Sequence, residues 1–515
     1  MEGIYIMKHK NICLFLVLFF VFAFFCACAS SEGENSQKDF DDSPENQDAQ
    51  DKIEEQDEKP DIAAEVLANL PAIDMKGDTI TFLTSNWGGM RGTPDGEAIW
   101  GMQYDILVDE LIGEALNDGK YNRNKAMEEK YNCIMAEINV AGQGDANSLL
   151  NKAVKAGDPA YDVMLCRMQS YQNLGASNSI IDLSRLEYLD FGNPWWDQNS
   201  VSDLSICNKH FMVCGDITIS DNGATGVFVF NKKLLADNAL ADPYKLVKEG
   251  DWTLEKFFSM TKEVSKDLNG DGVMDENDRY GFFYQRDTVL SFLNGSGERV
   301  GKKDENDIPY ITIGGESAIS NITYTFENLY DKTACFNVMH LPGDFNVGMD
   351  AMFQNDQALF MWIRMVNIVP LRSMPTDFGV LPIPKKNAAQ DYYSCDVNSW
   401  TGLGITVPTT VVDMESIGIF LEAYAAESYK RVKPAYYDVL LSGKVARDEE
   451  SLEMLDIIFG NRTYDIGAIG TYGTLNEVIY LVMNYDMNVS SWVEKRLEKA
   501  QKDIDKLIEK IEDLD

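Results

Sequence analysis

Apolar and polar positions along this chain repeat with two periods. Thr79-Ile-Thr-Phe-Leu alternates with period two, which predicts a strand leading into Asn86-Trp-Gly-Gly. Ala146, Leu149, Leu150, Ala153 and Val154 recur at helical spacing, Gly157-Asp-Pro closes that helix, and Tyr161-Asp-Val-Met-Leu predicts a second strand. Strand, helix, strand in this order predicts an α/β lobe with a mostly parallel sheet. A hairpin is expected at 203–219 with its turn near Asn208-Lys209, followed by the buried strand Gly226-Val-Phe-Val-Phe. Leu254, Phe257, Phe258, Thr261 and Val264 mark an amphipathic helix with Thr253 as its N-cap. Further on, Gln357-Ala-Leu-Phe-Met-Trp-Ile, Asp377-Phe-Gly-Val-Leu-Pro-Ile-Pro and Ser399-Trp-Thr-Gly-Leu-Gly-Ile-Thr-Val predict strands. Helices dominate from Glu415, the last of them charged and starting near Trp492. The fold class expected is α/β, in two parts.

Length, charge and the N-terminal residues narrow the function classes. At 515 residues the chain can build two large lobes, and 45% hydrophobic content supplies their cores. A net charge of −38 argues against a nucleic-acid partner. Met7-Lys-His-Lys-Asn is a basic leader to the apolar run Ile12 to Phe25, which is shorter than the roughly 20 residues of a membrane span and suits a secretory signal. The run ends in Phe25-Cys-Ala-Cys28; the small residue before Cys28 resembles the lipidation site of bacterial lipoproteins, which makes Cys28 the lipid-bearing residue. From Ser30 to about Asp61 the chain is Glu, Asp, Gln, Asn, Ser and Lys with little to bury, and is expected to be a disordered tether. Cys133, Cys166, Cys207, Cys214, Cys335 and Cys395 are scattered, unlike a disulfide framework.

One loop carries its own chemistry. Asp267-Leu-Asn-Gly-Asp-Gly-Val-Met-Asp-Glu-Asn-Asp278 places oxygen donors at the spacing of an EF-hand-type loop, with glycine at the sixth position. Asp267, Asn269, Asp271, Asp275 and Asp278, with the carbonyl of Val273, are the expected ligands of a structural Ca²⁺. A strand, Tyr280-Gly-Phe-Phe-Tyr-Gln, follows the loop where a sensor would have its second helix, so the ion is expected to staple rather than switch.

Several stretches together resemble the extracellular solute-binding proteins of family 1, the carbohydrate-type, maltose-binding-protein-like receptors of ABC importers. They are Tyr121-Asn-Arg-Asn-Lys-Ala-Met-Glu-Glu-Lys-Tyr-Asn, Asn193-Pro-Trp-Trp-Asp-Gln, Phe228-Val-Phe-Asn-Lys-Lys-Leu, Asp251-Trp-Thr-Leu-Glu-Lys-Phe, the acidic loop ending in Arg279-Tyr-Gly-Phe, Gln357-Ala-Leu-Phe, and Asp377-Phe-Gly-Val-Leu-Pro-Ile-Pro-Lys, over roughly residues 78–510. The resemblance implies a type II periplasmic-binding-protein-like fold: two lobes, each a mixed sheet flanked by helices, joined by hinge segments and closing on ligand. It implies a signal peptide over 1–27, a lipid-anchored tether over 28–77, a first lobe from 78–218 and about 351–398, and a second from about 219–350 and 399–515. It also implies a carbohydrate ligand, membrane permease partners, and a monomer anchored on the outer face of a Gram-positive cell membrane.

A sugar offers apolar C–H faces and a rim of hydroxyls, so its site needs flat aromatics and fixed polar groups beyond strand C-termini. That rule selects Trp87, Arg167, Gln169, Tyr171, Asp216, Arg286, Asp287, Trp362, Arg364 and Trp400. Trp252 reads as packing, and Trp195 and Trp196 fit either role. Catalytic alternatives are thin: there is no His-Glu-x-x-His, no Gly-x-Ser-x-Gly and no phosphate loop. A secreted glycoside hydrolase with paired carboxylates, or a sugar sensor signalling to a kinase, remains the competing class.

Overall fold

The computed structural model describes residues 61–85, 106–442 and 449–514. Its first strands are β1 (Thr79–Ser85), β2 (Ile134–Val140) and β3 (Val163–Arg167). Next come β4 (Gly226–Asn231), β5 (Tyr280–Tyr284), β6 (Gly301–Lys303), β7 (Pro309–Ile311) and β8 (Cys335–Asn337). The rest are β9 (Ala358–Arg364), β10 (Phe378–Leu381), β11 (Cys395–Asp396), β12 (Leu403–Thr406) and β13 (Arg462–Thr463).

Two sheets define two lobes. The first has the order β12-β3-β1-β2, with β1 parallel to β2 and β3, and β12 antiparallel on β3 with Leu403 opposite Arg167. The second has the order β10-β4-β9-β5-β8, in which β4 is antiparallel to β9 and β10 while β5 is parallel to β8 and β9. Both are mixed sheets flanked by helices.

Local chemistry explains the element ends. Helix Gln143–Ala156 stops at Gly157, whose φ of +64° closes the last turn. Helix Leu254–Lys262 starts where the Thr253 hydroxyl accepts from Lys256 N. At the expected hairpin, Cys207 and Asn208 both have positive φ, which turns the chain sharply. Pairing there is a single bridge between Ile206 and Lys209, and Val213 bridges to Ile405 instead. Helix Ile62–Asn69 lies inside the stretch assigned to the tether; it buries Ala63 and packs on helix Met414–Ser442.

Segment assignment to lobes differs from the sequence-based expectation. Residues 351–398, expected in the first lobe, supply β9 and β10 to the second sheet, and the following strand β12 joins the first. Each of these stretches reads as a strand, but the sheet it joins is set by partners far away in sequence, beyond the reach of local periodicity.

One hydrophobic core runs through both lobes. In the second, Phe228 of β4 stacks on Phe282 of β5 with centroids 5.3 Å apart, and Phe257 meets them edge-on at 5.1 and 4.9 Å. Burying each such ring stabilises by roughly 2–3 kcal/mol. In the first, helix Ala115–Tyr131 carries the fully buried Arg123, which donates to Ile217 O and Ile106 O and lies 4.2 Å over the Tyr424 ring. This joins that helix to Met414–Ser442. Further along the same partner helix, Glu422 accepts from the Trp195 and Trp196 indoles at 3.0 and 3.1 Å, from Asn193 Nδ2 and from Asp190 N. The two tryptophans therefore pack and anchor. Glu422→Gln would set an amide N–H₂ against these donors, and a loss of about 2 kcal/mol is expected in urea denaturation.

Candidate functional site

The chain crosses from the first lobe to the second through Thr218–Thr225 and returns between β11 and β12. The two crossings run side by side: Thr225 bridges Val397, Asn398 N donates to Ala224 O, and Leu403 N donates to the Ser220 hydroxyl. β13 lies alongside β11 and brings Arg462 to the crossing. Its guanidinium meets Asp197 Oδ2 at 2.5 Å and Asp221 Oδ2 at 3.1 Å, and also bonds Asn222. The Tyr464 hydroxyl donates to Asp197 Oδ2 at 3.0 Å. Burial pushes the Asp221 carboxyl up to about 6.

Beside this knot lies a narrow recess of about 20 Å³, room for a water-sized group, partly open to solvent. The returning crossing supplies Asp396, Val397, Asn398, Ser399 and Trp400. Asp287, Leu290 and Asn294 come from the start and body of helix Thr288–Gly295, and Asp465, Ala468 and Ile469 from the helix start after β13. Trp400 is 40% exposed, an indole face free to meet a ligand. Asn398 Nδ2 donates to Asp287 Oδ2, and Gln169 Nε2 reaches Ser399 Oγ at 3.4 Å, linking the first lobe to the rim. Asp465 is saturated by the main-chain N–H groups of Val300, Gly301, Gly467 and Ala468.

Asp396 behaves differently. It is 6% exposed, burial pushes its carboxyl up to about 7, and its Oδ1 has no hydrogen-bond partner. A methyl group on Gly226 would lie 2.7 Å from that oxygen and 3.2 Å from both Ser291 Oγ and Trp362 Nε1, two more buried polar atoms without partners. Three polar atoms thus converge on one spot that only glycine leaves free.

The fold is that of two-lobed solute-binding proteins. An ABC substrate-binding protein of Listeria monocytogenes, in complex with cycloalternan, is 14% identical with a TM-score of 0.54 over 84% of this chain and 98% of its own. UspC of M. tuberculosis is also 14% identical at 0.54, over 82% and 100%. A solute-binding protein of an ABC transporter from Thermotoga lettingae, bound with alpha-D-tagatose, is 12% identical at 0.51, over 83% and 100%. No family profile matches the chain. No curated protein matches it either.

Within this fold the residues chosen by the strand-end rule fall in different places. Asp287 and Trp400 line the recess and Gln169 touches its rim. Arg286, next to Asp287, lies over the Tyr480 ring with its Nε 3.5 Å from the Asp287 carboxylate. Arg167 ends β3 half-buried with its Nε unpartnered, and its N–H donates to Gln143 Oε1. Arg364 ends β9 opposite Gly226 and does not line the recess. Three more candidates do not line the recess. Tyr171 is fully buried and its hydroxyl donates to Leu204 O, so it packs in the core. Trp362 is fully buried within β9. Asp216 is away from the recess, paired with Lys433 at 3.2 Å. Trp87 lies outside the described residues, as does Cys28. Trp252 packs as expected, its indole donating to Pro382 O. Asn294, Asp396, Asn398 and Ser399 were not selected, because polar residues in a run such as Ser394-Cys-Asp-Val-Asn-Ser399 carry no sequence mark of burial.

The calcium expectation is overturned. Among the described residues no group of three or more His, Cys, Asp or Glu side chains is placed to hold a metal ion. The loop's oxygens turn onto its own main chain. Asp267 accepts from Gly270 N and Gly272 N, Asn269 from Asp271 N, Asp271 from Val273 N, and Asp275 from Asn277 N. Asp278 is buried and accepts from Leu268 N and Asp275 N. Lys266 and Arg279 exchange main-chain bonds at the loop's mouth, so hydrogen bonds alone close it. The spacing is that of a cation loop, but spacing does not fix where each oxygen points.

Proposed function

We propose that this protein is the ligand-capturing component of an ABC importer, held outside the cell by a lipid on Cys28 and binding a sugar or oligosaccharide. The observation that carries the reading is the exposed Trp400 indole in a polar recess at the crossing between two lobes. A flat aromatic with carboxylate and amide neighbours suits a pyranose, whose C–H face stacks while its hydroxyls bond at the rim. The fold supports the same reading, since structures of this shape hold cycloalternan and tagatose. Among the described residues no helix is long and apolar enough to cross a membrane. The ligand is then passed to membrane permease subunits.

Thermal shift of the purified protein against mono- and oligosaccharides tests this. A sugar at a hundred times its Kd should stabilise by about 2.7 kcal/mol. Trp400→Ala should melt like the wild type yet bind the responding sugar about thirtyfold more weakly, about 2 kcal/mol. Stabilisation by peptides with none by any sugar would sink the assignment.

A further inference from the structure

We infer that the ligand brings a protonated amino group into the recess, as a sugar with a free amine does; this rests on the recess being the ligand site. The lining side chains include three carboxylates, Asp287, Asp396 and Asp465, and no lysine, arginine or histidine. Charge alone would mean little on so acidic a protein, but the hydrogen-bonding capacity of the walls is also one-sided. Asn294 is 2% exposed; its Nδ2 is tied to Leu290 O, which leaves Oδ1 as the polar atom it can offer, and that oxygen has no partner. Flipping the amide would set its oxygen against the Leu290 carbonyl, so the surplus acceptor is not an ambiguity of orientation. Asp396, also more than nine-tenths buried, adds a carboxyl whose Oδ1 faces the Ser291 hydroxyl and the Trp362 indole N–H beside Gly226. On the donor side Asn398 Nδ2 is committed to Asp287, and Arg286 faces the Asp287 carboxylate and Tyr480. The open Asn294 oxygen beside three carboxyl side chains is completed by a group that only donates, and an ammonium has three N–H bonds and no lone pair. The exposed Trp400 face attracts the same charge.

Acidic sugars are disfavoured by the same geometry, since a carboxylate or phosphate would meet three acidic side chains, of which Asp287 alone faces a cation, Arg286. Asp287 and Asp465 face Asp396 and are themselves acidic, and they reinforce what burial does to its carboxyl. Amine binding therefore weakens as pH falls below about 7 and Asp396 takes up its proton.

The test is calorimetric binding to the full chain with matched ligands. These are glucosamine, galactosamine and mannosamine and the deacetylated dimer of chitin, each against its N-acetylated and its plain hydroxyl counterpart, with glucuronic acid and spermidine alongside. At least one amine should bind about tenfold or more tightly than both of its neutral partners, about 1.4 kcal/mol. That advantage should shrink to within about twofold in Asp396→Asn. Asp287→Asn, a less deeply buried position with its side chain 19% exposed, provides the same reading should the first variant fold poorly. Neutral partners binding as well as the amines, binding of glucuronic acid, or silence from every amine overturns the inference. Binding of neutral sugars alone overturns it while sustaining the sugar reading. Binding of spermidine with no response to any sugar sustains the amine and overturns the sugar.

Discussion

Replacing Arg462 with alanine should cost the folded protein about 3–5 kcal/mol, read as a lower midpoint in urea denaturation. The side chain is 12% exposed and Asp197 and Asp221 are 4% and 2% exposed, so its removal strands two carboxylates where water cannot reach them. The Tyr464 hydroxyl and local N–H donors remain, but none carries positive charge. Arg462→Lys should fall between, because an ammonium keeps the charge and loses the planar fork that spans both acids. The position matters as much as the energy. Asp197 caps a first-lobe helix, Asp221 sits on the outgoing crossing, and Arg462 lies beside the strand that starts the return. A loss below about 1 kcal/mol for the alanine variant would show that water reaches the acids and that the knot does not hold the crossings together.

Asp396→Asn should raise stability at pH 8 and leave it nearly unchanged at pH 4. The carboxyl is raised from 3.8 to about 7, so the folded chain retains a proton that the unfolded chain has already released. Its contribution is therefore complete below about pH 4 and is lost as pH climbs through about 7. Ionising it in place costs about 4 kcal/mol relative to the unfolded chain, at about 1.36 kcal/mol per pH unit. Asparagine has no charge to bury. Urea denaturation of both proteins at the two pH values gives the answer, and a difference independent of pH would sink the claim. An amine ligand should narrow the gap at pH 8, because its charge offsets the carboxylate's.

What the sequence made legible follows the range of the interaction involved. β1, helix Gln143–Ala156 and the Thr253 cap rest on neighbours a few residues apart, and they form where periodicity places them. β9, β10 and β12 were each visible as strands, yet their sheets were not, because antiparallel pairing with β4 or β3 is a long-range choice. The strand-end rule chose Asp287 and Trp400, which line the recess, and Trp362, which falls on a strand buried on both faces. Asn294 and Asp396 were invisible because their importance lies in lacking a partner, and a lack of partners is a property of three dimensions. The acidic loop failed for a related reason: composition at fixed spacing fixes which donors are present and leaves their aim open.

The placement of β12 has a consequence for how the chain reaches its folded form. The first sheet needs a strand made only after every strand of the second sheet has been synthesised. An early first lobe would therefore show the unpaired edge of β3 and the bare face on which helix Met414–Ser442 packs. A chain built this way stays open until late, since its distant contacts must wait for the last third of the polypeptide. In the role proposed above that delay is useful, because a chain that cannot finish folding inside can still be threaded out.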